Sequence, residues 1–252
     1  MRRVMYLTIL ALACSNAYTF DKDLNLTDPS ELDLPVMPPD PNKKKGPPPL
    51  PVEQVEPTPE PPSFGGNPIS APTNTLIYVI DISCSMIIPS RYLDENGNAV
   101  NGTRLDKAKM LTCLSIARLD ETYKFNVVAY SCSMLVWRRE GLAQATPENK
   151  VNAINWVRSM LYPNGGTGTG QGVITALVMD RNNRCIILLT DGSPSCGEPG
   201  NPIEVHKSMI RSNNTQNASI HVFGIGATGV FRQFCQDVAA GNCGQYYDMP
   251  DY

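Results

Sequence analysis

Residues 74–86 read NTLIYVIDISCSM. From Leu76 to Ile80 the run is apolar and rich in β-branched residues, with no polar break. Such a run suits a strand covered on both faces, because a strand with one wet side alternates polar and apolar residues. It stops at Asp81, and Ser83 and Ser85 follow at i+2 and i+4 with Cys84 between them. A strand buried on both sides needs helices above and below it, so the downstream pattern decides the fold class.

Downstream, helical and strand patterns alternate. GTRLDKAKMLTCLSIARL (102–119) has helical spacing with apolar residues around most of its circumference. YKFNVVAYS (123–131) reads as a strand, and SMLVWRR (133–139) as a further strand antiparallel to it. TPENKVNAINWVRSML (146–161) opens with Thr146, Pro147 and Glu148, a helix-start signature. GQGVITALVM (170–179) is a helix, NRCIILLTDG (183–192) a strand, NPIEVHKSMIRSN (201–213) a helix and ASIHVFGIGA (218–227) a strand. GVFRQFCQDVAA (229–240) is a helix ended by Gly241, and QYYDM (245–249) a short last strand.

This order predicts a doubly wound α/β fold, with a mainly parallel sheet flanked by helices through right-handed crossovers. In such sheets ligands bind beyond the carboxyl ends of the strands. Asp81 and Asp191 both fall at that end of their strands. The glycines of NGGTGTG (164–170), between two helices, let the backbone turn tightly and bring Thr167 inward.

Asp81, Ser83, Ser85, Thr167 and Asp191 offer only carboxylate and hydroxyl oxygens. Hard oxygens without imidazole or thiolate suit Mg²⁺, Mn²⁺ or Ca²⁺ and are wrong for zinc. Two carboxylates at most neutralise a divalent ion, and hydroxyls are weak neutral ligands. Mg²⁺, the first expectation, keeps waters in such a set, and a carboxylate from another molecule can displace one. Taken singly, each piece is an ordinary cap or turn; together, their order, spacing and strand context agree.

The 252-residue chain is 42% hydrophobic with a formal charge of −3, which allows one good-sized domain and gives no basic footprint for nucleic acid. MRRVMYLTILALACSNAYTF (1–20) has two arginines, a short apolar run and small residues at Ser15 and Ala17. This is the layout of a secretory signal peptide over 1–17, too short to span a bilayer. The alternative is a lipoprotein box with lipid attachment at Cys14. Residues 18–72 carry most of the 22 prolines and read as a disordered, extended linker, which leaves 73–252 as the folded domain. Export to a secreted or cell-surface location permits disulfides; cleavage after Ala17 removes Cys14 and leaves seven of the eight cysteines, an odd count that implies a free thiol or an intermolecular bridge. None forms a C-x-x-C pair, so a zinc ribbon is not expected. Cys235 and Cys243 flank the end of the last helix, where a short-loop bridge is one expectation. His206 and His221, the chain's two histidines, have no nucleophile or carboxylate at catalytic spacing.

From about Asn74 to Asp248 the chain resembles a von Willebrand factor type A domain. YVIDISCSM matches that family's Asp-x-Ser-x-Ser-Met loop, GGT its second loop and LLTDG its third. FNVVAYS, ATPEN and HVFGIGA fall at its second strand, helix start and penultimate strand. The resemblance implies that Asp81, Ser83, Ser85, Thr167 and Asp191 form a metal-ion-dependent adhesion site. It also implies that the chain is a non-enzymatic binding module engaging a protein carboxylate through the ion. The alternative is a non-catalytic subunit of an envelope assembly; a thiol- or metal-dependent hydrolase ranks below both. Cys84 stands where the family very often has glycine, and a bridge from it to Cys132 or Cys196 would lock the metal loop, the other reading being a free thiol.

Overall fold

The computed structural model describes residues 60–94, 96–197 and 201–251. The signal peptide, Cys14 and the linker up to residue 59 lie outside the described residues.

The chain order is β1 (Ser63–Phe64), β2 (Asn67–Pro68), β3 (Thr75–Asp81), β4 (Pro89–Leu93), β5 (Ala99–Thr103), α1 (Arg104–Arg118), β6 (Lys124–Tyr130), β7 (Met134–Val136) and β8 (Ala143–Gln144). There follow α2 (Pro147–Met160), α3 (Thr169–Met179), β9 (Cys185–Thr190), α4 (Pro202–Asn213), β10 (Ser219–Ile225), α5 (Gly229–Ala240) and β11 (Tyr246–Met249). The main sheet runs β11-β10-β9-β3-β6-β7, with β8 on the other end of β6. β11, β10, β9, β3 and β6 are parallel; β7 and β8 pair with β6 antiparallel. Strand order turns back at β3, the central strand, because β6 lies on one side of it and β9 on the other.

The opening run occupies β3, and its period of two explains why it is apolar throughout. Leu76, Tyr78 and Ile80 enter one core with Leu105, Ile116 and Val157 from α1 and α2. Ile77 and Val79 enter the opposite core with Val173, Ile210 and Phe234 from α3, α4 and α5. Helix starts follow their caps: Thr146 accepts from the Asn149 N–H with Pro147 in the first turn, and Thr103 with Asp106 forms a capping box at α1. Among the described residues, no helix is long and apolar enough to cross a membrane.

Two parts of the sequence expectation need correction. Residues 60–72, read as the end of the disordered linker, include the β1–β2 hairpin, and Phe64 and Ile69 are each only 1% exposed in the core. Phe64 packs against Phe223 with ring centroids 4.4 Å apart and the rings tilted by 53°, so burial of two large side chains holds a segment whose proline content argues against order. β4 and β5, which no strand pattern announces and whose Gly102 and Thr103 fall inside the helical pattern of 102–119, form a second antiparallel hairpin leading into α1.

Candidate functional site

The register of the central strands builds the site. Asp81 lies opposite Tyr130 on β6, and Ile80 opposite Leu189 on β9. Asp81, Tyr130 and Thr190 therefore share one row at the carboxyl edge of the sheet. Thr190 Oγ1 donates to Asp81 Oδ2 at 2.7 Å, and the Tyr130 hydroxyl donates to the same oxygen at 3.3 Å. The Ser83 N–H donates to Oδ1 at 2.8 Å. Asp81 is fully buried. Burial, and next the neighbouring Asp191 carboxylate, push its pKa up to about 7. Burial beside Asp81 also drives the Tyr130 phenol far upward, so it stays a donor.

Beyond Asp81 the chain makes a short 3-10 turn, Cys84–Ile87. The turn brings the Ser83 and Ser85 hydroxyls to 3.1 Å. Thr167 arrives from the loop before α3, and backbone contacts bring that loop alongside: Asn164 N–H donates to Ile82 O, and Cys84 N–H to Gly165 O. Thr167 is further held by its own N–H on Ser195 Oγ and by its carbonyl, which accepts from the N–H groups of Ser195 and Cys196. Among the described residues, the Thr167 hydroxyl makes no hydrogen bond to the other four candidates.

Asp191 follows β9 and is 3% exposed. Its Oδ2 accepts from Arg104 Nη1 at 3.1 Å. Arg104, the first residue of α1, also donates to Asp251 Oδ2 from Nε at 2.8 Å and from Nη2 at 2.6 Å, and to the Gly226 carbonyl. Gly226 has a φ of 63°, and a Cβ there would stand 2.1 Å from Asp251 Oδ2 and displace the Arg104–Asp251 pair. Sequence reading missed Arg104, Tyr130, Thr190 and Asp251. For Tyr130 and Thr190 the strand-end positions next to Ser131 and Asp191 were an available signal; for the Arg104–Asp251 pair, 147 residues apart, there was none.

Of the two readings of Cys84 the free thiol holds, and the bridges from Cys84 and between Cys235 and Cys243 are not formed. Cys132 and Cys196 bond to each other, with an S–S distance of 1.94 Å, and tie the loop after β6 to the loop after β9. Cys84 is an exposed thiol. Cys235 and Cys243 are not bridged: the Cys235 sulfur packs inward near Gly192, whereas Cys243 is exposed past the end of α5. Gly166 lies against the bridge, since a Cβ there would meet Cys132 Sγ at 3.0 Å and Cys196 Sγ at 3.1 Å. His206 is a fully buried brace. Its Nδ1 accepts from the Gly170 N–H at 2.9 Å, so Nε2 carries the proton and donates to the Cys196 carbonyl at 2.6 Å.

Among the described residues, no three His, Cys, Asp or Glu side chains gather where they could hold a metal ion. What gathers is the Asp81–Asp191 pair with serine hydroxyls, and Arg104 already neutralises part of the charge on Asp191.

No family profile matches the chain. It is 32% identical over 162 residues to mouse inter alpha-trypsin inhibitor, heavy chain 4, an alignment covering 59% of this chain and 15% of that one. The chain thus spans a small part of that relative's length. In structure it resembles von Willebrand factor type A from Catenulispora acidiphila, with a TM-score of 0.56 and 22% identity over 71% of this chain and 39% of that one. It also resembles the PilB minor pilin from Streptococcus sanguinis, with a TM-score of 0.51 and 18% identity over 73% and 59% of the two chains. At these identities the likeness concerns the fold, which is that of von Willebrand factor type A domains.

Proposed function

We propose that the chain is a protein-binding subunit of a secreted or cell-surface assembly, and that it binds through a divalent cation held at the crown of the sheet. It is not an enzyme; its relatives carry the names of an inhibitor heavy chain and a minor pilin. The likeness to a minor pilin favours an assembly subunit over a freestanding adhesin. The Cys132–Cys196 bridge supports an oxidising location.

The observation that carries the cation reading is the burial of Asp81 beside Asp191. Two close carboxylates are costly without a positive charge between or beside them. Arg104 pairs with Asp191 but shares its charge with Asp251, and among the described residues no ion pair reaches Asp81, so the Asp81–Asp191 pair keeps negative charge that a divalent ion would offset. Asp81, Ser83, Ser85, Thr167 and Asp191 would hold Mg²⁺, or Mn²⁺ or Ca²⁺, and all their donors are hard oxygens. The bound ion would supply an open position for a partner's carboxylate. Thr190, Tyr130 and the Ser83 N–H fix the orientation of Asp81, and the disulfide with Ser195 fixes the Thr167 loop.

Calorimetric titration with Mg²⁺ and Mn²⁺ tests the reading. Wild type should bind one ion and Asp81→Ala none, with the fold retained by circular dichroism. A metal-dependent pull-down from the native extracellular or envelope fraction then tests the partner. Equal ion binding and partner recovery by Asp81→Ala would reduce the serines to turn residues.

A further inference from the structure

A groove of about 740 Å³ runs along α1 beneath the β4–β5 hairpin and the β1–β2 turn. The helix contributes Lys107, Met110, Leu111, Leu114, Ser115 and Arg118 to its lining. These positions follow the i, i+3, i+4, i+7 spacing of one helix face. At 1.5 Å rise per residue the two cations stand about 16 Å apart along the axis, with the apolar stripe between them. Leu93 and Ala99 from the hairpin and Met249 from β11 complete the apolar walls. Leu93 is 59% exposed, so the hairpin turns a large apolar side chain toward open space.

The charge on the lining is mainly positive, with Arg91, Lys107 and Arg118 against Asp94. Among the described residues, the Arg91 and Arg118 side chains make no ion pair or hydrogen bond, and Lys107 gives its ammonium to the backbone carbonyl of Pro250 at 2.8 Å. The carboxylate on the lining, Asp94, is turned into its own loop, where it accepts from the N–H groups of Asn96 and Asn98 and from the Asn98 amide. Arg91 lies opposite Asn101, just ahead of α1, so it joins Lys107 at the start of the helix, while Arg118 closes the far end.

The floor also discriminates between kinds of ligand. The Ser115 hydroxyl is committed to the Ser63 carbonyl and to Tyr78, and the Gly65 carbonyl accepts from the Asn67 amide. An extended peptide lying here would find these two groups already taken and would need the outer edges of the two-stranded hairpins to satisfy its backbone N–H and C=O groups, which are costly to bury unpaired. An alkyl chain has no such groups to satisfy, and methionines such as Met110 and Met249 adapt readily to its shape.

We propose that this groove binds a single-chain anionic amphiphile, a long-chain fatty carboxylate, with its tail along Met110, Leu111 and Leu114 and its carboxylate on Arg91 or Arg118. The site is separate from the crown and does not depend on the cation.

The test is calorimetric titration of the full chain with sodium dodecanoate below its micelle-forming concentration, compared with hexanoate and with dodecyltrimethylammonium. Dodecanoate should bind saturably, one per chain. Hexanoate should bind at least about a hundredfold more weakly for its missing methylenes, and the cationic amphiphile should not compete. Ala99→Trp fills the groove and Leu93→Glu puts a like charge at its mouth; each should weaken dodecanoate about tenfold or more. Both positions are exposed, and unchanged circular dichroism would confirm folding. Arg91→Glu or Arg118→Glu should lower affinity about tenfold and thereby locate the head group. The proposal is overturned by absence of saturable binding, by groove variants that bind as wild type does, or by equal affinity for the cationic amphiphile. It is also overturned if the wild type retains an acidic amphipathic peptide and not dodecanoate, and Ala99→Trp abolishes that retention.

Discussion

From Leu76 to Ile80 every β3 side chain is fully buried among apolar neighbours; from Asp81 to Ser85 the same chain buries a carboxylate and a serine hydroxyl and leaves a thiol outside. The first stretch is held mainly by non-directional burial, with the Tyr78 hydroxyl bonded to Ser115 as its one directional side-chain partner among the described residues. The second is held by named partners: Thr190, Tyr130, the Ser83 N–H and the Gly165 carbonyl. The floor therefore tolerates no loss of volume. The crown sits on it under electrostatic tension, and its order comes from elsewhere in the chain.

The largest way to break this comparison is through the floor. Ile80→Ala should cost about 2–5 kcal/mol in denaturant unfolding, with or without Mg²⁺; a loss that vanished when the ion was added would mean that floor and crown are not separable. The crown's own fastening comes next. Cys132→Ser combined with Cys196→Ser should cost about 2–4 kcal/mol, and wild type in reductant should unfold like the double variant. Identical stability of all three would remove the bridge from the account.

A smaller effect has the opposite sign. Asp81 has a raised pKa in the folded state, so its contribution favours folding when the group is protonated. That contribution is complete below the unfolded carboxylate range and is lost as pH rises through about 7. In chelator, Asp81→Asn should therefore stabilise the domain at pH 8 on the order of 1–2 kcal/mol, after the weakened hydrogen bonds are counted. The gain should disappear near pH 4, and Mg²⁺ should reverse it. Chemical unfolding at the two pH values decides this, and a variant less stable than wild type at pH 8 without metal would show that the carboxylate is not under tension. The smallest effect is a control far from the crown. Thr146→Ala, which removes the α2 cap, should cost about 1 kcal/mol at either pH and with or without ion.

The same contrast explains what was readable in the sequence. Alternation of strands and helices follows from local periodicity, so β3, β6, β9, β10 and the five helices announce themselves. Asp81, Ser83, Ser85 and Asp191 were visible because each lies within a few residues of an apolar strand's end. The β4–β5 hairpin was not, because Arg91, Leu93, Ala99 and Asn101 pack on no sheet and carry no apolar alternation; the turn at Asn96–Gly97 was its one local sign. The β1–β2 hairpin lay hidden in proline-rich sequence and depends on a distant partner, Phe223. Cysteine pairing is likewise a property of the assembled loops, and spacing along the chain does not encode it.

The central position of β3 has a consequence in time. Its two neighbours, β6 and β9, are made well after it: Asp81 meets its Thr190 partner across 109 residues. During synthesis, at about 5–20 residues per second, one edge of a wholly apolar strand must wait several seconds for its mate while carrying unpaired backbone groups. Such an edge is a template for pairing with the wrong chain. The nascent polypeptide is thus most vulnerable between the emergence of β6 and that of β9, and a ribosome pausing in that interval would do more harm than one pausing once β9 has emerged.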